Sequence, residues 1–238
     1  MTRRGTLLFG WTLALLAMAG FASLGFWQYG RMQEKAALLA RAAKAFDDRT
    51  PRALDSDIDG IAWVEGEGRI DPRTLLLDNQ LRDGRPGVRM YCVAAVGKQA
   101  HRLVDFGWLP LGGDRTLPAA TCPAGPMHLR GLLAPAPSSG LRMGEAMQQV
   151  DGRWLMTRVD PAAIAGALRI EEPAPQVLRL DPKLPVGHAR DLDLLPNTLP
   201  PERHLGYAVQ WWALALAVLA TALVLTFRSH RRSKSPSP

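Results

Sequence analysis

None of the compact motifs that announce catalysis is present. The chain has no G-x-S-x-G, no P-loop, no H-E-x-x-H and no G-x-G-x-x-G set between a strand and a helix. A nucleophile-elbow hydrolase, a P-loop nucleotidase, a zincin and a dinucleotide-dependent oxidoreductase therefore lack their machinery. Cysteine is scarce too: Cys92 and Cys122 stand 30 residues apart, without the C-x-x-C spacing of a metal or redox site. They are either two buried thiols or, in an oxidising compartment, a bridge. His101 and Asp105, four apart in an expected strand, share one face and suggest an acid-base pair, against the plainer reading of two surface residues. Met143 and Met147 offer a soft-metal pair at helical spacing, but Met so spaced is ordinarily packing. A membrane-anchored hydrolase or copper carrier is thus poorly supported, and no enzyme is expected.

Charge is missing in two places. No Asp, Glu, Lys or Arg occurs from Thr6 to Tyr29 or from Leu205 to Phe227. At about 1.5 Å rise per residue each run is long enough to cross a hydrocarbon core of roughly 30 Å as a helix, which satisfies its own backbone in lipid. A cleaved signal peptide is the rival for the first run, with Ala17-Met18-Ala19 as the cut. The apolar stretch continues through Phe21, Leu24, Phe26 and Trp27, as a retained span does. The chain is therefore expected to be a membrane protein, with two transmembrane α-helices flanking a mainly antiparallel β (α+β) extracytoplasmic domain.

The net charge of +7 is concentrated at the ends. Arg3, Arg4, Arg228, Arg231, Arg232 and Lys234 hold six positive charges, leaving 23 basic and 22 acidic residues from Arg31 to His204. No basic face for nucleic acid is implied. The tail charges act as topology signals instead, placing both termini (1–5 and the basic tail 228–238) in the cytoplasm and residues 30–204 outside it. Arg31, Lys35, Arg41 and Lys44 argue the other way for the first helix. The four basic residues behind the second helix weigh more, and two spans force both ends onto one side. The absence of an Arg- and Ser-rich leader points to a bacterial inner membrane, which makes the middle domain periplasmic.

Between the spans, 30–50 reads as a juxtamembrane helix ended by Pro51 at the latest. Ile61–Ile70, Thr74–Leu81, Val88–Val96 and His101–Leu109 read as four strands of an antiparallel meander, and a further strand at Met127–Leu133 completes a β region over 61–134. Asp83-Gly84-Arg85-Pro86-Gly87 and Gly97-Lys98 are its turns. Pro135 to Gly140 is a loop. Arg153–Val159 reads as a strand, Asp160-Pro161 opens a short helix through Ala167, and Val177–Leu180 adds a last strand. Seven prolines between Pro173 and Pro201 predict an irregular return path.

The second helix opens with Arg203-His204-Leu205-Gly206-Tyr207-Ala208-Val209-Gln210-Trp211-Trp212. At 100° per residue His204, Tyr207 and Trp211 share a face at the membrane surface. Trp and Tyr there are ordinary interfacial anchors. An imidazole and Gln210 are not required by that role. Neutral imidazole ligates haem iron, and aromatic rings suit a porphyrin's flat faces.

These blocks resemble the Surfeit locus family of cytochrome c oxidase assembly proteins. Leu24-Gly25-Phe26-Trp27-Gln28-Tyr29-Gly30-Arg31 with Lys35 is similar to that family's L-G-x-W-Q-x-x-R-x-x-x-K. His204 to Trp211 is similar to its H-L-x-Y-A-x-Q-W, Asp83 to Gly87 to its D-G-x-P-G, and Gly107-Trp108-Leu109-Pro110 to its G-W-V-P. Trp154 with Asp160-Pro161 and Ala165 resembles a further block. Asp105-Phe106 departs from the family's Asn-Arg. The resemblance implies a non-enzymatic factor that binds haem a transiently at the membrane surface and aids its insertion into the large oxidase subunit. It implies His204 as the iron ligand, with Tyr207, Gln210, Trp211, Trp27 and Gln28 around the porphyrin. The implied partners are the lipid bilayer, the large subunit of cytochrome c oxidase and haem a synthase. A haem-free scaffold for oxidase assembly intermediates is the alternative.

Overall fold

The computed structural model describes residues 3–97, 100–138, 144–195 and 198–232. The chain forms two compact units, Met1–Leu38 with Leu199–Pro238, and Leu39–Thr198. Two long apolar helices, α1 (Arg3–Asp48) and α3 (Pro201–Arg232), stand at the ends of a sheet-rich region. Both are long and apolar enough to cross a membrane.

The helical unit is organised by a seam. On α1 the less exposed residues include Leu7, Trp11, Ala14, Met18, Phe21, Gly25, Gln28, Met32 and Lys35, alternately four and three apart. On α3 they include His204, Ala208, Trp211, Ala215, Val218 and Ala222, on the same rhythm, with Thr226 four further on. That spacing averages about 3.5 residues, the period of helices that keep one face toward a partner. Between two helices this apolar, small residues permit close approach and polar contacts fix the pairing. Ala208 and Gly25 are buried in this seam, and Trp11 Nε1 donates to Thr226 Oγ1 at 3.1 Å near its far end.

The second unit contains β1 (Arg52–Ala53), β2 (Ala62–Ile70), β3 (Leu75–Arg82), β4 (Arg85–Val96), β5 (Ala100–Pro110), β6 (Gly125–Pro135), β7 (Met147–Val150), β8 (Arg153–Met156), α2 (Pro161–Leu168) and β9 (Gln176–Leu180). The sheet runs β1-β2-β6-β9-β5-β4-β3-β8-β7. It also folds back on itself, because β2 pairs with β4 at Arg69↔Ala95 and Ile70↔Ala94. Five strands thus enclose an apolar core that includes Val64, Ile70, Met90, Val104, Phe106, Leu129, Leu133, Leu178 and Leu180. A disulfide, Cys92–Cys122, lies in that core and settles the thiol question. On the opposite face Leu75, Leu77, Tyr91, Val93, Leu103, Met156 and Val177 pack against Ile164 and Leu168 of α2.

Local signals are realised closely. Asp83 (φ 52°) and Gly84 (φ 73°) form a two-residue turn between paired Arg82 and Arg85. Two positive φ values in succession are what Asp-Gly accommodates in a hairpin. Asp160 caps α2 by accepting from the Ala163 N–H at 3.2 Å, with Pro161 at the first turn.

Strand partners differ from expectation. The meander is β3-β4-β5; β2 instead pairs along its length with β6. The connector Asp71-Pro72-Arg73-Thr74 lacks hairpin chemistry. Its Asp71 carboxylate accepts the Arg73 N–H at 2.8 Å, and the chain crosses rather than doubles back. The sheet is mixed, since β1–β2, β3–β8 and β5–β9 are parallel. Strands β1 and β7 were not anticipated. Met147 lies in β7, a strand rather than a helix, while Met143, Lys98, Ser139 and Gly140 fall outside the described residues.

His101 and Asp105 do share a strand, but at about 3.3 Å per residue four positions separate them by roughly 13 Å. No acid-base pair forms. The Asp105 carboxylate instead accepts from Arg89 Nη1 at 2.6 Å and from the Gly107 N–H at 2.9 Å, wholly buried. The Asp105 position is therefore a structural ion-pair site in this chain.

Candidate functional site

Within the helical unit, α1 and α3 bring His204 and Gln28 together. His204 Nδ1 lies 2.7 Å from Gln28 Oε1. An amide oxygen only accepts, so Nδ1 carries a proton, and in the neutral ring Nε2 then holds the lone pair. Nε2 is buried and, among the described residues, has no hydrogen-bond partner. His204 precedes the charge-free run. Burial holds its pKa below the ordinary histidine value, and the Lys35 and Arg31 cations push the same way. Both influences favour the neutral ring, the form in which imidazole ligates a metal.

The aromatic residues around this bond divide into two groups. Trp211 stacks on Phe21, with ring centroids 5.7 Å apart and planes 25° from parallel. Trp212 meets Phe26 edge-on at 5.6 Å and Tyr29 at 6.0 Å. Trp27 (58 % exposed) and Tyr207 (40 % exposed) point outward, as does Gln210. Among the described residues no hydrogen bond or ring pairing joins these three to each other or to His204. The six expected site residues thus split into His204, Gln28 and Trp211 on the seam and Trp27, Tyr207 and Gln210 on its flanks. The seam follows the four-then-three step from His204 to Ala208 to Trp211, which leaves Tyr207 to one side.

Gly25, Phe21 and Trp212 belong to the same structure and were not singled out by sequence reasoning. A methyl group on Gly25 would overlap the Trp212 indole. Glycine is needed there for close approach, because the ring of one helix occupies the space a side chain of the other would fill. A small residue one turn from an interfacial Trp-Gln pair was the available signal. Gly25→Val is expected to cost about 1–3 kcal/mol by overpacking. Crosslinking between cysteines introduced on the seam of a cysteine-free background would report it as lost helix proximity in the full-length protein.

These features define a class of proteins in which a sheet-rich domain is carried between two helices able to cross a membrane, with a buried imidazole tied to the facing helix. A sequence model of the SURF1 family matches residues 15–216, well over half of the chain. The chain belongs to the SURF1 family, an assembly-factor family associated with cytochrome c oxidase assembly and not known for catalysis. Comparison with curated proteins gave no match.

Proposed function

We propose that the protein is an assembly factor of cytochrome c oxidase that holds haem a at the membrane surface and hands it to the large oxidase subunit. The observation that carries this reading is His204 Nε2, a buried ring nitrogen with no partner among the described residues. An unpaired polar atom in a helix seam lowers stability, by about 1–3 kcal/mol in typical interiors, and a metal ligand is the use that repays it. Gln28 fixes the ring and its tautomer, as acceptors behind metal-bound histidines do. Trp211 on the seam, with exposed Trp27 and Tyr207 beside it, supplies aromatic surface for a macrocycle. Gln210 completes the polar rim. Haem, when bound, would contribute the iron to be delivered.

In this reading 6–29 and 205–227 span the bacterial inner membrane, both termini are cytoplasmic, and the sheet-rich domain lies in the periplasm. The Cys92–Cys122 disulfide supports that orientation, because such bonds persist in oxidising compartments. The large oxidase subunit is the recipient and haem a synthase the donor.

Full-length protein purified from cells that make haem a is expected to show a Soret band, and His204→Ala to lose most of it. A fully loaded His204→Ala protein with an unchanged spectrum rejects the ligand assignment. Co-purification of oxidase subunits without haem, undiminished in His204→Ala, would select the haem-free scaffold instead.

A further inference from the structure

The outer end of the helical unit carries cations that its own acids do not balance. Arg31 and Lys35 are one and two turns beyond Gln28 on α1, four residues apart, and both reach the field of His204. Like charges at this spacing destabilise a helix. Lys35 is half-buried, and Nζ donates to the Leu199 carbonyl at 2.5 Å. Only one of its three N–H donors is used there. Among the described residues no carboxylate pairs with Lys35, and burial together with Arg31 lowers its pKa. Arg31 Nη1 contacts Glu34 Oε2 at 2.6 Å, but both side chains are well exposed, and such a pair is easily exchanged for another anion. Glu202, in the first turn of α3, is also exposed.

We propose that Arg31 and Lys35 form the carboxylate-binding part of the site and take the propionate groups of the porphyrin whose iron His204 ligates. This rests on the haem reading above. Along the helix axis the two cations lie about 4.5 and 10.5 Å beyond Gln28, outside the charge-free run that ends at Tyr29. The acidic edge of an amphiphilic macrocycle belongs on that side, and its apolar edge belongs with Trp211 and Trp27. The cations thus set which edge faces water. Charge-assisted bonds to carboxylate are the stronger kind of hydrogen bond and would select for the free acid.

The test titrates full-length protein, in micelles of zwitterionic detergent, with ferric haem b and with its dimethyl ester, following the Soret band. The wild type is expected to bind the free acid about tenfold or more tightly than the ester, the factor that one charge-assisted bond supplies. Arg31→Gln/Lys35→Gln should bind both forms with the wild type's ester affinity. The charge-preserving Arg31→Lys/Lys35→Arg should keep the preference and exclude a folding defect. Equal affinity of the wild type for acid and ester, or a preference that survives in the Gln variant, overturns the assignment while leaving His204 as ligand. In a second arm with anionic lipid added to the micelles, lipid binding lost with the two charges while haem affinity stays unchanged overturns it in favour of a headgroup site. No Soret change with either compound removes this inference and the haem reading together.

Discussion

Asp105→Ala is expected to destabilise the sheet-rich unit by about 3–5 kcal/mol, a large share of the stability of an ordinary domain. Arg89 and Asp105 are 5 % and 2 % exposed, and their contact at 2.6 Å lies inside the fold. Arg89 Nε already lacks a partner among the described residues. Removing the carboxylate would leave a buried guanidinium that cannot deprotonate and has lost its counter-ion. The backbone N–H of Gly107 would lose its acceptor as well. Urea titration of the full-length protein read by pulse proteolysis should show the lowered midpoint. Arg89→Met/Asp105→Leu provides the control, since replacing both charges by apolar groups is commonly neutral or stabilising. A double variant as unstable as Asp105→Ala would mean that shape, rather than charge, matters at this position.

Loss of the disulfide should have an effect of similar size. Cys92 in β4 and Cys122, in the stretch between β5 and β6, close a loop of 30 residues' separation. The chain-entropy relation gives about 4 kcal/mol for a loop of that length. The bridge fixes a segment otherwise tied by a few contacts, among them Arg153 Nη1 donating to the Leu117 carbonyl at 3.4 Å and Leu117 packing on the core. Residues 111–124 form no strand, and near Cys122 the fastening is its own N–H, which donates to Thr74 Oγ1 at 3.1 Å. Reductant should lower the urea midpoint of the wild type and leave a Cys92→Ala/Cys122→Ala variant unmoved. A wild type indifferent to reductant would transfer the fastening role to the surrounding core.

The parts of the fold that were readable in sequence are those decided within a few residues. The long helices follow from runs without charge, the β3–β4 hairpin from Asp83-Gly84, and α2 from Asp160-Pro161. Pairing of β2 with β6, and parallel pairing of β5 with β9, depends on partners tens of residues away. Alternation along a strand does not name its neighbour. Strand β7, Met147-Gln148-Gln149-Val150, is short and polar at its centre, so it carries no pattern to detect.

For the site, His204 and Trp211 were legible from the helical face they share and from an imidazole that an interfacial anchor does not require, while Gln28 entered with the family resemblance. Their grouping was not. A helix that is apolar on every side has no amphipathic stripe, so the face that meets a partner cannot be read from hydrophobicity. Gly25 was the hidden determinant: by yielding room to Trp212 it selects which residues of each helix come inward. Tyr207 was placed with His204 by angle and Trp27 by the family resemblance, and the packing leaves both on the flanks.

The bond between Trp11 and Thr226 has a bearing on how the far end of the pair can behave. It lies about 33 Å along α3 from the His204–Gln28 bond. A pair of rods pinned at the bottom behaves like tongs: opening the tips does not set the arms adrift. The local concentration of Gln28 around His204 stays high after any parting, so the jaws shut again without a diffusional search. The same pin should confine the damage from His204→Ala to the tips, which is what allows that variant to report on the imidazole alone.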